Sequence, residues 1–288
     1  MRSLSKLNFK LPFKVLQIVN FYFAMRQYGG KMDKKKFKNY FIGEDEGIIS
    51  SIYDKIELCR KIDGTVYTDI FLPPQIWSKL VEIEAELGVL VEVNGLSTES
   101  EKKMAAFKSY YSGEIVKFPS KLIVIKNNSK FNELEHRHYL AGILSTGIKR
   151  EKLGDLIVEN ENCYTIISDG LFDFLKLNLL SVGKSKVDID QAGSKDIPSY
   201  KFEVKEYLIN SYRLDVIVSA LTNISRNEAL KMISSSQVMV NYGFKTNKSL
   251  TVKEGDVISI RRYGKHIFIG SEGETKKGKI RGKFKKYI

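Results

Sequence analysis

Residues 213–262, RLDVIVSALTNISRNEALKMISSSQVMVNYGFKTNKSLTVKEGDVISIRR, leave few ways to fold. Leu214, Ile217, Val218 and Leu221 recur at i, i+3, i+4 and i+7, which predicts a short helix with one buried face. Ser225-Arg226-Asn227-Glu228 is an S-x-x-E capping box, in which the hydroxyl and the carboxylate satisfy backbone donors at the start of a second helix. That helix would bury Ala229, Leu230 and Ile233. Val238 and Val240 alternate about Met239 as a strand does. Asn241-Tyr242-Gly243 is a turn, and Glu254-Gly255-Asp256 leads into a strand over Val257–Ile260. The expected product is two helices laid on a small curled sheet.

This stretch resembles the ribosomal-protein-S-four type RNA-binding domain, the alpha-L motif, through Arg213-Leu214-Asp215, Ser225-Arg226, Ala229, Ile233, Val238, Val240-Asn241, Gly255-Asp256 and Arg261. Ser235 and Arg262 stand where that family commonly has Gly. Elementary electrostatics points the same way. A helix N-terminus carries unpaired N–H groups and the positive end of the macrodipole, and Arg226 sits in that first turn, where a phosphate could bind. The bland alternative is an arginine that snorkels from the edge of the apolar face.

Charge is unevenly placed. The chain carries a net +13, of which residues 1–40 and 245–288 each contribute +9, while residues 41–199 sum to −6. Clustered cations at the ends suit a polyanion, because counterions are released where neutralising charges lie close together. Residues 276–288 hold seven Lys/Arg and no acid, with Gly278 and Gly282 between them. They are expected to form a flexible arm that supplies non-specific affinity. Cys59 and Cys163 have no metal-ligand spacing, and two thiols in 288 residues suggest a reducing compartment.

The chain divides by pattern into an N-terminal extension (1–31), an N-terminal α/β domain (32–112), a central domain (113–195) and the RNA-binding domain with its basic tail (196–288). The apolar run Val15–Met25 is too short for a bilayer span, which needs about 20 residues. Ala24-Met25-Arg26 is a poor signal-cleavage site. A membrane-surface helix is a second reading; the preferred one is an extension upstream of a start at Met32, dispensable for folding and RNA binding, in a cytoplasmic protein. In the second region, helices are expected at Glu44–Lys61, Gln75–Leu87 and Glu99–Tyr110, with a strand at Val89–Val93 and a turn at Thr68–Pro73. In the third, strands at Leu122–Ile125, Asp155–Val158, Cys163–Ile167 and Lys186–Ile189 alternate with helices at Asn132–Leu144 and Leu171–Leu180. That order is βαββαβ, the ferredoxin-like arrangement of RNA-recognition modules, here without their aromatic signature. The fold class is therefore α+β.

Leu134-Glu135-His136-Arg137, Gly147-Ile148-Lys149-Arg150-Glu151-Lys152 and Gly154-Asp155, taken with the C-terminal domain, resemble the bacterial YlmH family. Weaker agreement runs through Phe71-Leu72-Pro73, Asn94-Gly95 and residues 275–281. The resemblance implies a non-enzymatic protein that associates with large-subunit rRNA and with tRNA or peptidyl-tRNA in ribosome-associated quality control. Other quality-control factors are possible partners, no stable membrane association is implied, and a monomer is expected.

The residues expected to bind RNA are Arg213, Ser225, Arg226, Lys231, Asn241, Arg261, Arg262, Tyr263 and Lys265, gathered on one side, with Lys276, Lys277, Lys279 and Arg281 from the tail. His136, Arg137, Lys149 and Arg150 form a possible second contact. His136 and His138, two apart on a helix, diverge and do not suit one metal. No nucleophile-and-base constellation, phosphate loop or cofactor fingerprint is present, so no catalytic residue, metal or cofactor is expected. Two alternatives stand beside this reading. One is an RNA-modifying enzyme, since Arg-Leu-Asp also occurs in pseudouridine synthases. The other is a membrane-associated cell-division protein.

Overall fold

The computed structural model describes residues 32–129, 132–244 and 250–287, so the expected extension over 1–31 lies outside them. The described residues form two compact units, up to Lys195 and from Asp196.

The first unit holds two sheets. Helices α1 (Lys34–Asn39), α2 (Glu46–Ile62), α3 (Pro74–Glu82) and α4 (Glu84–Leu87) accompany strands β1 (Thr65–Tyr67), β2 (Leu90–Asn94) and β3 (Met104–Lys108) in the order β1-β3-β2. The Asp45 carboxylate caps α2 by accepting from the Ile48 N–H at 2.8 Å, and Asp63 in the left-handed region ends it. The buried face, Ile49, Ile52 and Ile56, packs with Phe37, Leu80 and Phe107. The single helix expected over Gln75–Leu87 is broken at Ile83. The helix expected over Glu99–Tyr110 is instead strand β3. Met104, Ala105, Ala106 and Phe107 are all buried, because β3 is the central strand of its sheet. A short apolar run covered on both faces has no periodicity to separate strand from helix.

Next come β4 (Ser120–Asn127), α5 (His136–Ser145), β5 (Leu153–Glu159), β6 (Asn162–Ser168), α6 (Phe172–Asn178), a short β7 (Ser181–Val182) and β8 (Ser185–Gln191). The antiparallel order β5-β6-β4-β8-β7 is the expected βαββαβ arrangement with β7 added at the edge. Ile123 and Ile125 of β4 with Cys163 and Ile167 of β6 pack with Tyr139 and Ile143 of α5 and Leu175 of α6.

The two sheets are tied together. The Asp155 carboxylate on β5 accepts the backbone N–H groups of Glu101 (2.5 Å) and Lys102 (3.2 Å). The Phe71 N–H donates to the Glu151 carbonyl at 2.7 Å, and Lys152 Nζ to the Asp69 carbonyl at 2.8 Å. A Cβ on Gly154 would meet Phe71 at 3.4 Å and Ile166 at 2.3 Å, so only glycine allows this approach.

The second unit is a six-stranded sheet with helices α7 (Leu214–Thr222) and α8 (Arg226–Ser234) packed into its core. Its strands are β9 (Phe202–Ile209), β10 (Val238–Val240), β11 (Gly243–Phe244), β12 (Val257–Ile260), β13 (Gly264–Glu274) and β14 (Ile280–Tyr287), in the order β11-β10-β12-β13-β14-β9. The flexible arm expected over 276–288 is contradicted from Ile280 onward. There the chain is strand β14, paired along its whole length with β9 and on its other side with β13. Phe284 is buried against Phe268 (ring centroids 5.0 Å) and Tyr207 (5.7 Å). Gly282 is buried where a Cβ would press on Ile209 and Phe284 at 3.1 Å each.

Two expectations follow. Phe284→Ala should destabilise the second unit by about 3–5 kcal/mol, read as a lower urea midpoint, whereas an unchanged midpoint would show β14 to be peripheral. Asp155→Ala should speed limited proteolysis within residues 95–103 without unfolding either sheet; an unchanged cleavage rate would mean the seam is held without it.

Candidate nucleic-acid interface

Asp215 is fully buried in the first turn of α7. Its Oδ1 accepts from Arg213 Nε at 3.1 Å and its Oδ2 from Arg226 Nε at 2.7 Å, with Arg213 Nη2 a further donor at 3.3 Å. Burial would push this carboxyl up. The hydrogen bonds and charge of Arg213 and Arg226 outweigh it and hold the group below the usual carboxylate range. Both arginine side chains stay about half exposed, at 42 % and 55 %. Each guanidinium thus has one edge fixed and another left toward solvent. Arg213 itself is raised by the Asp215 hydrogen bond. The role expected for Arg226, a phosphate ligand at the start of α8, therefore needs amending: its Nε already serves a buried carboxylate.

The capping box of α8 forms as the spacing requires. Ser225 Oγ accepts from the Glu228 N–H at 3.2 Å, and Glu228 accepts from the Ser225 N–H at 2.9 Å and hydroxyl at 2.8 Å. Ser225 is thus occupied with capping. Asn241 is likewise committed, donating to Asp256 at 2.7 Å and accepting from the Val257 N–H at 2.9 Å. This bracing holds Asn241 and Tyr242 at positive φ, the turn that joins β10 to β11. Lys231 is exposed on α8.

Arg261, Arg262 and Tyr263 are exposed on the turn from β12 to β13, and Lys265 Nζ lies 5.2 Å over the Tyr242 ring. Arg262 has φ +72°, a conformation that favours glycine and strains an arginine. Lys276, Lys277 and Lys279 are exposed on the opposite turn, and Arg281 pairs with Glu206 at 3.2 Å. Strand β13 separates the two turns by eleven residues, about 35 Å of strand at ~3.3 Å per residue. The expected cations therefore lie at both ends of the sheet and do not make one cluster. Of the other cations on β14, Lys283 pairs with Glu272 and Lys285 lies over Phe202 at 5.1 Å.

The possible second contact is also redistributed. His136 and Arg137 are exposed at the start of α5, with Arg137 paired to Glu135 at 3.0 Å, and His138 Nδ1 accepts from the Glu135 N–H at 3.0 Å. Lys149 is exposed, but Arg150 turns inward and donates to the carbonyls of Leu153 (3.0 Å) and Gly154 (3.1 Å). This basic turn thus braces the seam between the two sheets.

Sequence reasoning named Asp215 within the Arg213-Leu214-Asp215 triplet but not as the shared partner of two arginines, and it did not single out the buried His266. The first had a signal, an acid two residues after Arg213 at a helix start. Both cysteines are buried and free; burial pushes Cys59 up to about 11 and Cys163 higher, so neither is a nucleophile at neutral pH. Among the described residues no group of three or more His, Cys, Asp or Glu could hold a metal, and no helix is long and apolar enough to cross a membrane.

Two stretches of the chain match known domain families. Residues 114–196 match the model described as "Putative RNA-binding domain in YlmH", and residues 213–258 match the S4 domain. The chain thus carries a YlmH-type RNA-binding domain match and an S4 domain match. The "Ribosome-associated protein quality control protein P2" of Bacillus subtilis (strain 168) is 28% identical over 220 residues, covering 75% of this chain and 85% of that protein. The solved "Cell division protein ylmH from Streptococcus pneumoniae" is 21% identical with a TM-score of 0.46, covering 54% of this chain and 96% of that one. The Arg213–Asp215–Arg226 arrangement lies within the S4 match.

His266 gives this unit a pH dependence. It is 2 % exposed, and neither ring nitrogen makes a well-formed hydrogen bond among the described residues. Burial lowers its pKa most; the Tyr263 backbone opposes this in part, and the Lys286 and Lys205 charges add smaller lowering influences. A histidine whose pKa is lower folded than unfolded binds its proton first in the unfolded chain. Its contribution is present above the unfolded value of about 6.5 and is lost as pH falls below it, by up to about 1.4 kcal/mol per pH unit. The urea midpoint is expected to fall between pH 7.5 and 5.5, and His266→Leu to flatten that fall; an equally steep fall in the variant would place the titrating group elsewhere.

Proposed function

We propose that this protein is a non-enzymatic, cytoplasmic RNA-binding protein that associates with large-subunit rRNA and with tRNA or peptidyl-tRNA during ribosome-associated quality control. The observation that carries the reading is the pair of half-exposed guanidiniums, Arg213 and Arg226, held on one buried carboxylate inside the S4 domain. A guanidinium fixed along one edge loses little further entropy when its other edge meets a phosphate, and the contact is charge-assisted. The name of the Bacillus subtilis relative supports the quality-control setting. The two inert thiols and the commitment of Asp215 to two arginines favour binding over modification chemistry.

Arg262 supports a second point of contact. An arginine kept at φ +72°, where glycine would relieve strain, is worth its strain if the side chain has a partner outside the fold. The lysines at 276, 277 and 279 would add salt-dependent, non-specific affinity at the far end of β13.

Association with purified large subunits, and with tRNA alone, tests this by titration. Arg226→Ala should weaken binding by roughly ten- to a hundredfold, the range for a hydrogen bond to a charged group, and should also lower thermal stability because Asp215 loses a partner. Arg226→Lys should recover part of the stability and less of the affinity. Arg262→Gly should do the opposite of Arg226→Ala on stability, raising the melting temperature slightly while weakening RNA binding. Unchanged affinity in both Arg226→Ala and Arg262→Gly, with the protein folded, would place the RNA interface outside the S4 domain.

A further inference from the structure

The central sheet bears a cleft that the RNA reading does not use. It lies where the loop after β2 overhangs β4 and β6, and encloses about 520 Å³. Its floor is Leu122 and Ile166, cross-strand partners on neighbouring strands. The overhang is Asn94 to Thr98, and Phe118 stands at the rim. Phe118 is held by an edge-on contact with Tyr67, ring centroids 5.8 Å apart.

The overhang is built to stay in place. Ser97 N–H donates to Ser100 Oγ at 2.8 Å, Lys103 Nζ to the Thr98 carbonyl at 2.8 Å, and Trp77 Nε1 to the Glu101 carbonyl at 2.7 Å. A Cβ on Gly95 would strike Ser100 at 2.8 Å and the Lys102 carbonyl at 2.9 Å, so the chain turns there only as glycine. The Asp155 carboxylate anchors the far end of the loop through Glu101 and Lys102. The cleft is therefore preformed and needs little ordering to receive a ligand.

Its lining specifies a ligand chemistry. An apolar floor and an aromatic rim accept a flat ring. The Asn94 carboxamide, oriented by a 3.4 Å contact from its Nδ2 to Ser120 Oγ, and the hydroxyl residues Ser97 and Thr98 offer polar groups at the ring's edge. No acid lines the cleft, and Lys103 is its one charged lining residue. Exposed Lys117 and Lys195, chain neighbours of the lining residues Phe118 and Ser194, would stand near an attached phosphate. The rest of this sheet face is unsuited to an extended strand. Lys126 is neutralised by Asp190 at 2.9 Å, Asp188 lies beside it on β8, and Phe71 covers Gly154.

We infer that this cleft binds a single unpaired nucleobase, taken from single-stranded RNA held elsewhere by the S4 domain. The inference rests on the RNA-binding function proposed above, and adds a base-binding pocket to a surface that otherwise reads only phosphates. A free nucleotide carries the same chemistry and is the competing source.

The test uses the full chain and fluorescence anisotropy with a labelled single-stranded oligoribonucleotide, an RNA duplex of equal length, and AMP as competitor. Leu122→Trp fills the floor and should weaken single-strand binding by roughly ten- to a hundredfold, the range for one stacked base, with duplex binding unchanged. Asn94→Ala, which keeps the floor open, guards against a folding defect in the first variant and should weaken binding about three- to tenfold. Ultraviolet crosslinking should join a nucleotide to a peptide containing Phe118. Normal single-strand affinity in folded Leu122→Trp and in Asn94→Ala would overturn the inference, and if Arg226→Ala weakens binding in the same assay, the S4 reading survives that failure. AMP binding that depends on Leu122 but is not displaced by the oligonucleotide would overturn it in favour of a free-nucleotide site.

Discussion

A carboxylate removed from water must be neutralised, and the S4 unit is arranged around that requirement at Asp215. The charge sits in the first turn of α7, where the helix dipole favours an anion, and is met from both sides by Arg213 and Arg226. One arginine precedes α7 and the other opens α8, so the ion pairs also fix how the two helices start relative to each other. The same contacts decide which guanidinium edges face solvent. Stability and surface are thereby coupled: no change to either arginine can alter the exposed guanidinium edges and leave the buried charge undisturbed.

The first unit solves a different problem. A sheet of the βαββαβ kind has one face covered by helices and another left open. Here Phe71, Asp155 and the loop after β2 cover part of that open face. The basic turn at Lys149–Lys152, which in sequence resembles a nucleic-acid patch, contributes Lys152 to this closure through the Asp69 carbonyl, while Arg150 donates to the carbonyls of Leu153 and Gly154 on the strand that follows it. Cationic residues thus serve here as hydrogen-bond donors to the chain itself. Charge counts along the sequence overstate how much positive surface is free.

What was legible in the sequence was local. The helix–box–helix segment could be read because its signals, the spacing of Leu214 to Leu221 and the Ser225–Glu228 box, lie within one or two turns. Strand β3 was hidden because burial on both faces erases the alternation that marks a strand. Strand β14 was hidden because its lysines and Gly282 have the composition of a solvated arm, while the partners that make it a strand, such as Glu206 opposite Lys283, lie far back in the chain. The site shows the same division. Arg213 and Arg226 were visible as types, but their shared carboxylate and the commitment of Asn241 to Asp256 are tertiary facts. Nor could the sequence say that β13 would hold two basic turns apart.

The position of β14 between β9 and β13 bears on how this protein is made. Arg281 meets Glu206 across 75 residues of chain, and the loop-closure entropy of such a pairing must be overcome before the contacts reward it. Until residues 280–287 have left the ribosome, β9 has no partner strand and Phe268 lacks the ring that covers it. A nascent chain stopped anywhere in the last strand would therefore display an open, apolar sheet. Folding of the second unit thus waits on the synthesis and release of residues 280–287.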